Sequence, residues 1–326
     1  MSQDFKQYHS IENLARTDFI ESIKTNHLDQ GEFIVQEKVH GANLTFITDG
    51  IEIKCAKRTG LLGSDEKFFN YQKIKDRYKE KILKTFEEVK KLEPTMDFLY
   101  IFGELFGGYY PHPEVAKVRD AIKLQQGVFY SPDNDFYAFD LRILNKSYLN
   151  LNQSMEIFEK IGFLYAKPLF KGTLGECLQY PNEFESYISN WLALPKIENN
   201  IAEGIVIKPS ATRFLPDKSR VIIKNKNPKY EEKIVKKNKI KKPKLKISDK
   251  IMNLQEEVKT YINQNRLESV ISKAGKPDIG FFAKDVLVDF LKDHNADFNA
   301  LEKEEQKIIK QFISQECSRL CYKNES

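Results

Sequence analysis

The chain has 326 residues, of which 41% are hydrophobic and 12% aromatic, enough for one large core and a smaller one and too apolar for global disorder. Its 52 basic and 47 acidic residues leave a net charge of +5, and no uncharged apolar run approaches the ~20 residues needed to span a bilayer. The opening Met1-Ser2-Gln3-Asp4-Phe5-Lys6 lacks the charged-then-apolar order of a secretory signal, so an intracellular, soluble protein with no membrane partner is expected.

In chain order, an irregular entry carries one helix over about Thr17–Asn26. A strand through Phe33-Ile34-Val35 then ends near Lys38. The runs 44–47 and 51–55 flank Asp49-Gly50, a dipeptide that supplies the positive φ a tight hairpin needs. A charged amphipathic helix follows from Phe68 to Leu92 and is stopped by Pro94. Strand-like runs recur at 98–102, 136–141, 205–208 and 221–224. Between them, Asn152 is placed to cap a helix with Ile157, Phe158 and Ile161 on one face and Gly162 at its end, and 187–194 reads as another helix. The pattern is α+β with a largely antiparallel sheet, without the strand–helix alternation of a doubly wound fold.

Residues 224–246 hold eleven lysines against Glu231 and Glu232, so the positive charge is concentrated there. Such a stretch suits a phosphate-rich partner, and it equally suits a solvated linker. Beyond it the pattern is helical only: Ser248 can cap a helix through about Asn263, with further helices over 267–273, 281–293 and 300–321. A boundary near residue 243 divides an expected domain of residues 1–243 from a small all-helical domain of 244–326. Cys55, Cys177, Cys317 and Cys321 form no CxxC pair; Cys317 and Cys321 share a helix face but lack the further ligands zinc requires, so free thiols are expected.

The familiar nucleotide and hydrolase motifs, GxxxxGK[ST], GxGxxG after a strand, GxSxG and HExxH, are missing. Glu37-Lys38-Val39-His40-Gly41-Ala42-Asn43 instead puts a lysine at the end of an apolar strand before a glycine turn, where its amine can project into a cleft. A lone lysine of this kind more often reaches solvent. Four further segments accompany it: Lys57-Arg58-Thr59; Phe102-Gly103-Glu104-Leu105-Phe106-Gly107; Phe136-Tyr137-Ala138-Phe139-Asp140-Leu141; and Glu203-Gly204-Ile205-Val206-Ile207-Lys208 with Val221-Ile222-Ile223-Lys224-Asn225-Lys226.

In this order the segments resemble the motifs of the covalent nucleotidyltransferases, which comprise DNA ligases, RNA ligases and mRNA capping enzymes. Lys-x-His-Gly in place of Lys-x-Asp-Gly, with the opening Phe5-Lys6-Gln7-Tyr8-His9-Ser10-Ile11-Glu12-Asn13, resembles the RNA ligase 2 family of phage and RNA-editing enzymes. The resemblance spans about residues 5–230. It implies an ATP-grasp-like, antiparallel-sheet nucleotidyltransferase domain followed by the helical tail. It also implies an ATP-dependent RNA ligase that seals 3′-OH and 5′-phosphate ends, at nicks in duplex RNA, through lysyl-AMP and RNA-adenylate intermediates. A DNA ligase or capping-type enzyme is the alternative, although both normally carry a β-rich barrel where this chain has helices.

The roles implied are as follows. Lys38 attacks the α-phosphate of ATP. A free lysine with a pKa of about 10.4 is protonated at neutral pH, so cationic neighbours or a metal must favour the neutral amine. Lys224 and Lys226, two apart on one strand, share a face and would supply that charge. Glu203 would help hold Mg²⁺, or Mn²⁺, which needs only one or two carboxylates besides phosphate oxygens and water. Glu104 would accept from the ribose, Phe139 would stack on adenine, and Glu37, Val39, Asn43 and Arg58 would line the nucleotide site. Tyr8, His40, Lys57 and Arg58 would contact the RNA or activate its end, and a monomer acting on RNA is expected. Asp140 is open between a structural and a direct role, and His112 has none. Gln36 departs from the family, where the phage enzymes tend to have arginine.

Overall fold

A computed structural model describes residues 5–231 and 247–323, which divide into two compact units, Met1–Lys229 and Tyr230–Ser326. The expected boundary near residue 243 and the basic stretch Lys236–Lys246 lie outside the described residues.

The first unit runs β1 (Glu12–Asn13), α1 (Thr17–Thr25), β2 (Phe33–Glu37), β3 (Ala42–Thr48), β4 (Ile53–Lys57), β5 (Gly60–Leu61), α2 (Tyr71–Leu92), β6 (Leu99–Gly107), β7 (Asn134–Ile143), α3 (Leu151–Ile161), β8 (Pro168–Gly172), α4 (Leu174–Leu178), α5 (Ile188–Trp191), β9 (Gly204–Pro209) and β10 (Ile223–Lys226). Two five-stranded sheets result. One has the order β1-β10-β9-β2-β8 and is antiparallel except for the β1–β10 pair; the other, β5-β4-β3-β6-β7, is antiparallel throughout.

The period of two along each strand gives every strand two destinations. In the second sheet, Ala42, Leu44 and Phe46 of β3 and Leu99, Ile101 and Leu105 of β6 pack against Ile74, Tyr78, Ile82 and Val89 of α2 and Met155 and Phe158 of α3. In the first sheet, Phe33, Val35, Ile205, Ile207 and Ile223 pack against Phe19, Ile20 and Ile23 of α1 and Leu174 and Cys177 of α4. The opposite faces meet each other through Ile47, Ala56, Tyr100, Phe102, Val206, Ile222 and Tyr8. The cleft between the sheets therefore receives the alternate residues: Asn43 and Glu104 from one side, Lys224 and Lys226 from the other.

A bulge modifies this alternation at one point. The register of β6 and β7 pairs Phe102 with Asp140 but Gly103 with Ala138, leaving Phe139 as the extra residue. Ala138 and Leu141 still face α2 and α3. The consecutive pair Phe139 and Asp140 both turn toward the inter-sheet side, which unbroken alternation forbids.

Several local expectations need correction. The helix read from Phe68 starts at Tyr71, and the strand read over 98–102 runs on through Gly107 as β6. The N-cap of α3 is Asn150, not Asn152, which lies in the first turn; Gly162, at φ +82°, ends the helix as expected. The 187–194 helix is a single turn, α5.

In the second unit α6 (Ile247–Lys259), α7 (Gln264–Ala274), α8 (Ile279–Asn299, kinked at His294) and α9 (Lys303–Lys323) share one core, with Val258, Leu267, Val270, Phe282, Val286, Phe290, Ile309 and Ile313 at its centre. α6 already runs at Ser248, so that residue is not its cap. Asn263 and Asp278 cap α7 and α8 by accepting from the N–H groups of Arg266 and Phe281. Arg266, 2% exposed, is held by Asp285 at 3.0 Å and Asp289 at 2.8 Å. All four cysteines are free and buried. Among the described residues no helix is long and apolar enough to cross a membrane.

Candidate active site

Strand β2 ends by handing its backbone to β9, with the Lys38 N–H donating to Gly204 O at 2.9 Å. The side chain of Lys38 then donates to Glu203 Oε2 at 2.8 Å. Lys226 approaches the other oxygen, Oε1, at 3.0 Å, and His40 Nδ1 lies 3.6 Å from Oε2. Glu203 is 1% exposed. Burial alone would raise its pKa, but Lys38, Lys226 and His40 outweigh that and hold the carboxyl well below its usual range. One ionised carboxylate thus gathers three basic side chains at the mouth of the cleft.

Two glycines make this approach possible. A Cβ at Gly41 would fall 2.3 Å from Leu105 O, so the turn after Lys38 rests directly on the β6 backbone. Gly204 adopts φ +142°, and a Cβ there would meet Asn225 O at 2.2 Å. The turn is also held by the His40 N–H, which donates to the hydroxyl of buried Tyr130 at 3.0 Å.

Across the cleft, Glu104 is the register partner of Asn43, whose Nδ2 lies 3.5 Å from Gly103 O. Burial, opposed by Lys38 and assisted by Glu203, pushes the Glu104 carboxyl up to about 7. Arg58, half-buried just past β4, is within electrostatic reach of it. Lys57 points the other way and pairs with Glu66. Lys224 is half-buried on β10, opposite Val206.

Beneath Phe139 lies a buried polar node that the motifs only partly indicated. Asp140, fully buried, accepts from Arg220 at 2.9 and 3.1 Å, from Lys208 at 3.0 Å and from the Tyr8 hydroxyl. Although burial alone would raise it, Arg220 and Lys208 draw its carboxyl down to about 2. Burial brings Lys208 down to about 8 despite Asp140. The Lys208 ammonium also donates to Phe139 O at 3.0 Å and sits 5.3 Å from the Phe139 ring centroid, while Tyr8 packs edge-on against the same ring at 5.0 Å. Phe139 is thereby fixed from two directions with its ring in the cleft.

Tyr8, expected to meet RNA, is thus 4% exposed with its hydroxyl turned to Asp140. Glu37 faces away from Lys38, accepting from Ser186 Oγ at 2.6 Å and Tyr187 N–H at 2.9 Å, and burial pushes it up to about 7. Val39 is buried. Gln36, 1% exposed, donates to Ala166 O, so its position offers no open surface to a phosphate. His112 accepts from the Glu114 N–H at 3.3 Å, a contact within its own turn. Lys208 and Arg220 had no assigned role in the sequence. The one available signal was that each is a lone charge flanking an apolar strand, a position charge tolerates only with a partner.

The donor set also fits a divalent ion brought in with a nucleotide. Among the described residues no group of three metal-ligating side chains exists, so Glu203 alone could not retain an ion, whereas one carboxylate completed by phosphate oxygens and water suits Mg²⁺.

Residues 31–226 match the family model described as RNA ligase, and residues 245–319 match the one described as T4 RNA ligase 2 C-terminal. Mitochondrial RNA-editing ligase 2 of Trypanosoma brucei brucei is 28% identical, over 89% of this chain and 83% of that protein. Mitochondrial RNA-editing ligase 1 of the same organism is 31% identical over 63% of this chain, which spans only 50% of that relative. Among solved structures, a variant of Naegleria gruberi RNA ligase with ATP and Mn superposes with a TM-score of 0.47 at 17% identity, covering 70% of this chain and 58% of that one.

Proposed function

The chain belongs to the RNA ligase family, and we propose that it joins an RNA 3′-hydroxyl to a 5′-phosphate using ATP, with Lys38 carrying the adenylyl group. The observation that carries this reading is the geometry around Glu203: a lysine at the end of a core strand, aimed into a cleft, sharing one buried carboxylate with a second lysine.

In the first step the Lys38 amine attacks the α-phosphorus of ATP. A nitrogen–phosphorus bond forms, the bond to the bridging oxygen breaks, and pyrophosphate leaves. The amine must first release its proton, and Glu203 is a poor acceptor because its cationic neighbours keep it ionised. The proton therefore passes to solvent or to the departing pyrophosphate, while Lys226 and Lys224 offset the negative charge on the non-bridging oxygens of the α-phosphate. A divalent ion, held by Glu203 and the phosphates, would supply further neutralisation. Phe139 stacks on adenine, and the Glu104 carboxylate accepts from a ribose hydroxyl; the other predicted nucleotide contacts, Asn43 and Arg58, flank that side of the cleft. In the second step an RNA 5′-phosphate oxygen takes the adenylyl group from Lys38. In the third, the 3′-hydroxyl attacks that 5′-phosphorus and AMP leaves. At each step the protein aligns the reacting groups and neutralises charge.

Among the described residues the second unit holds helices and no strand, which supports an RNA ligase over a DNA ligase or capping enzyme with its β-rich barrel. We assign nicked duplex RNA as the substrate and a monomer as the acting form, by resemblance to the RNA-editing ligases, with domains at 1–243 and 244–326. The test is incubation with ATP labelled at the α-phosphate and Mg²⁺, followed by nicked duplexes with RNA or DNA on each side. The wild type should take label and seal RNA nicks, and Lys38→Ala should do neither. Equal labelling of the two proteins would remove Lys38 from this role.

A further inference from the structure

Beside the buried node, the segment carrying Tyr8 builds a second cluster whose charges are not balanced. His9 is half-buried, with Nδ1 2.9 Å from the Tyr148 hydroxyl oxygen and its backbone N–H 3.4 Å from the same atom. A phenol carries one proton. In the tautomer in which that proton is donated to Nδ1, the imidazole's own proton lies on Nε2. The ring is neutral at physiological pH: burial, then Arg142, Arg220 and Arg58, push it down to about 4. Phe214 packs edge-on against it at 5.2 Å. In that tautomer Nε2–H is a donor with no protein acceptor among the described residues.

Three guanidinium groups act on this histidine, and one carboxylate, Asp140, answers them. Both oxygens of Asp140 are already taken by Arg220, Lys208 and Tyr8. Arg142 is half-buried, lies 5.4 Å from the Tyr148 ring centroid, and makes no ion pair among the described residues. Arg58 acts on both His9 and Glu104, so the cluster stands within electrostatic reach of the proposed nucleotide cleft. A guanidinium fork over an aromatic face, next to a neutral N–H donor and surplus positive charge, matches an anion presenting two oxygens.

We propose that Arg142 and His9 form a subsite for a backbone phosphate of the RNA, outside the groups that react. The inference rests on the ligase reading and adds a contact to it. Arg142 supplies charge and a bidentate fork, and the neutral imidazole supplies one fixed N–H that does not titrate in the physiological range.

The test compares wild type with Arg142→Met, which keeps an apolar stem over Tyr148 but loses the fork, and with His9→Ala. Each is measured for equilibrium binding to nicked duplex RNA across a salt series, and for transfer of labelled α-phosphate from ATP without RNA. Arg142→Met should weaken RNA binding about tenfold and lower the slope of log affinity against log salt by about 1, as the loss of one phosphate contact does. His9→Ala should weaken binding several-fold with little change in slope, and both should take label as the wild type does. Arg142→Lys should restore the slope but only part of the affinity. Unchanged RNA affinity and slope in Arg142→Met and His9→Ala overturns the subsite. A raised KM for ATP with RNA affinity unchanged assigns the phosphate to the nucleotide and also overturns it. If the wild type itself takes no label, the ligase reading fails instead, whatever the RNA affinities.

Discussion

Asp140 is the residue on which the first unit's buried charge depends. It balances two cations, Lys208 at 3% side-chain exposure and Arg220 at 4%, and receives the hydroxyl of Tyr8. Replacing one partner of a buried ion pair leaves the others desolvated and unmatched, which typically costs about 3–5 kcal/mol. Asp140→Asn should therefore destabilise the protein by that order in denaturant unfolding, and adding Lys208→Met should recover part of the loss, because it removes one of the stranded charges. Equal destabilisation by the single and double substitutions would show that Lys208 is not coupled to Asp140. The pH dependence has a definite sign. The folded carboxyl lies at about 2, below its unfolded value, so its contribution is present above roughly pH 4 and lost as pH falls toward 2. Because the same node holds Phe139 through Lys208 and Tyr8, nucleotide binding should weaken along with stability.

At the scale of strands, the site is a consequence of where two backbones touch. Gly204 follows Glu203 directly, accepts the Lys38 N–H, and crosses Asn225 with no room for a Cβ. Gly204→Ala must either move β9 away from β10 or abandon φ +142°, at a cost of order 1–3 kcal/mol. The displacement falls between Glu203 and Lys226, so adenylyl transfer to Lys38 should drop by more than the fall in melting temperature explains; a loss of activity matching the unfolded fraction alone would contradict this. Much of this arrangement was legible beforehand. Alternation placed Lys224 and Lys226 on one face, Asp49-Gly50 marked the β3–β4 hairpin, and the order of lysine and carboxylate motifs pointed to the cleft. The bulge at Phe139 was not legible, because 136–139 are all apolar or aromatic and show no alternation against which one extra residue would stand out. The partners of Asp140 were equally hidden: Tyr8, Lys208 and Arg220 lie 132, 68 and 80 positions away, and β7 and β9, which carry Asp140 and Lys208, belong to different sheets that meet only by packing face to face.

At the scale of the whole chain, the two units divide unlike tasks. Every residue assigned here to adenylyl transfer, from Lys38 to Lys226, lies within Met1–Lys229. That unit has its own cores on both outer sheet faces and between the sheets. The helices of Tyr230–Ser326 close around a separate core and an internal Arg266–Asp285–Asp289 cluster, which gives them independent packing. A chain cut after residue 243 therefore keeps every residue proposed to bond AMP to lysine and loses a separately packed element. We propose that the helical unit serves the RNA, so removing residues 244–326 should spare lysyl-AMP formation and the sealing of an already adenylated 5′ end. Sealing of an ordinary 5′-phosphate nick, which also requires transfer of AMP from Lys38 to that end, should fall much further. Measuring all three reactions on the full and shortened chains separates the possibilities. Uniform loss across them would mean that the first unit does not fold alone, and full retention of ordinary-end sealing would exclude the helical unit from handling RNA.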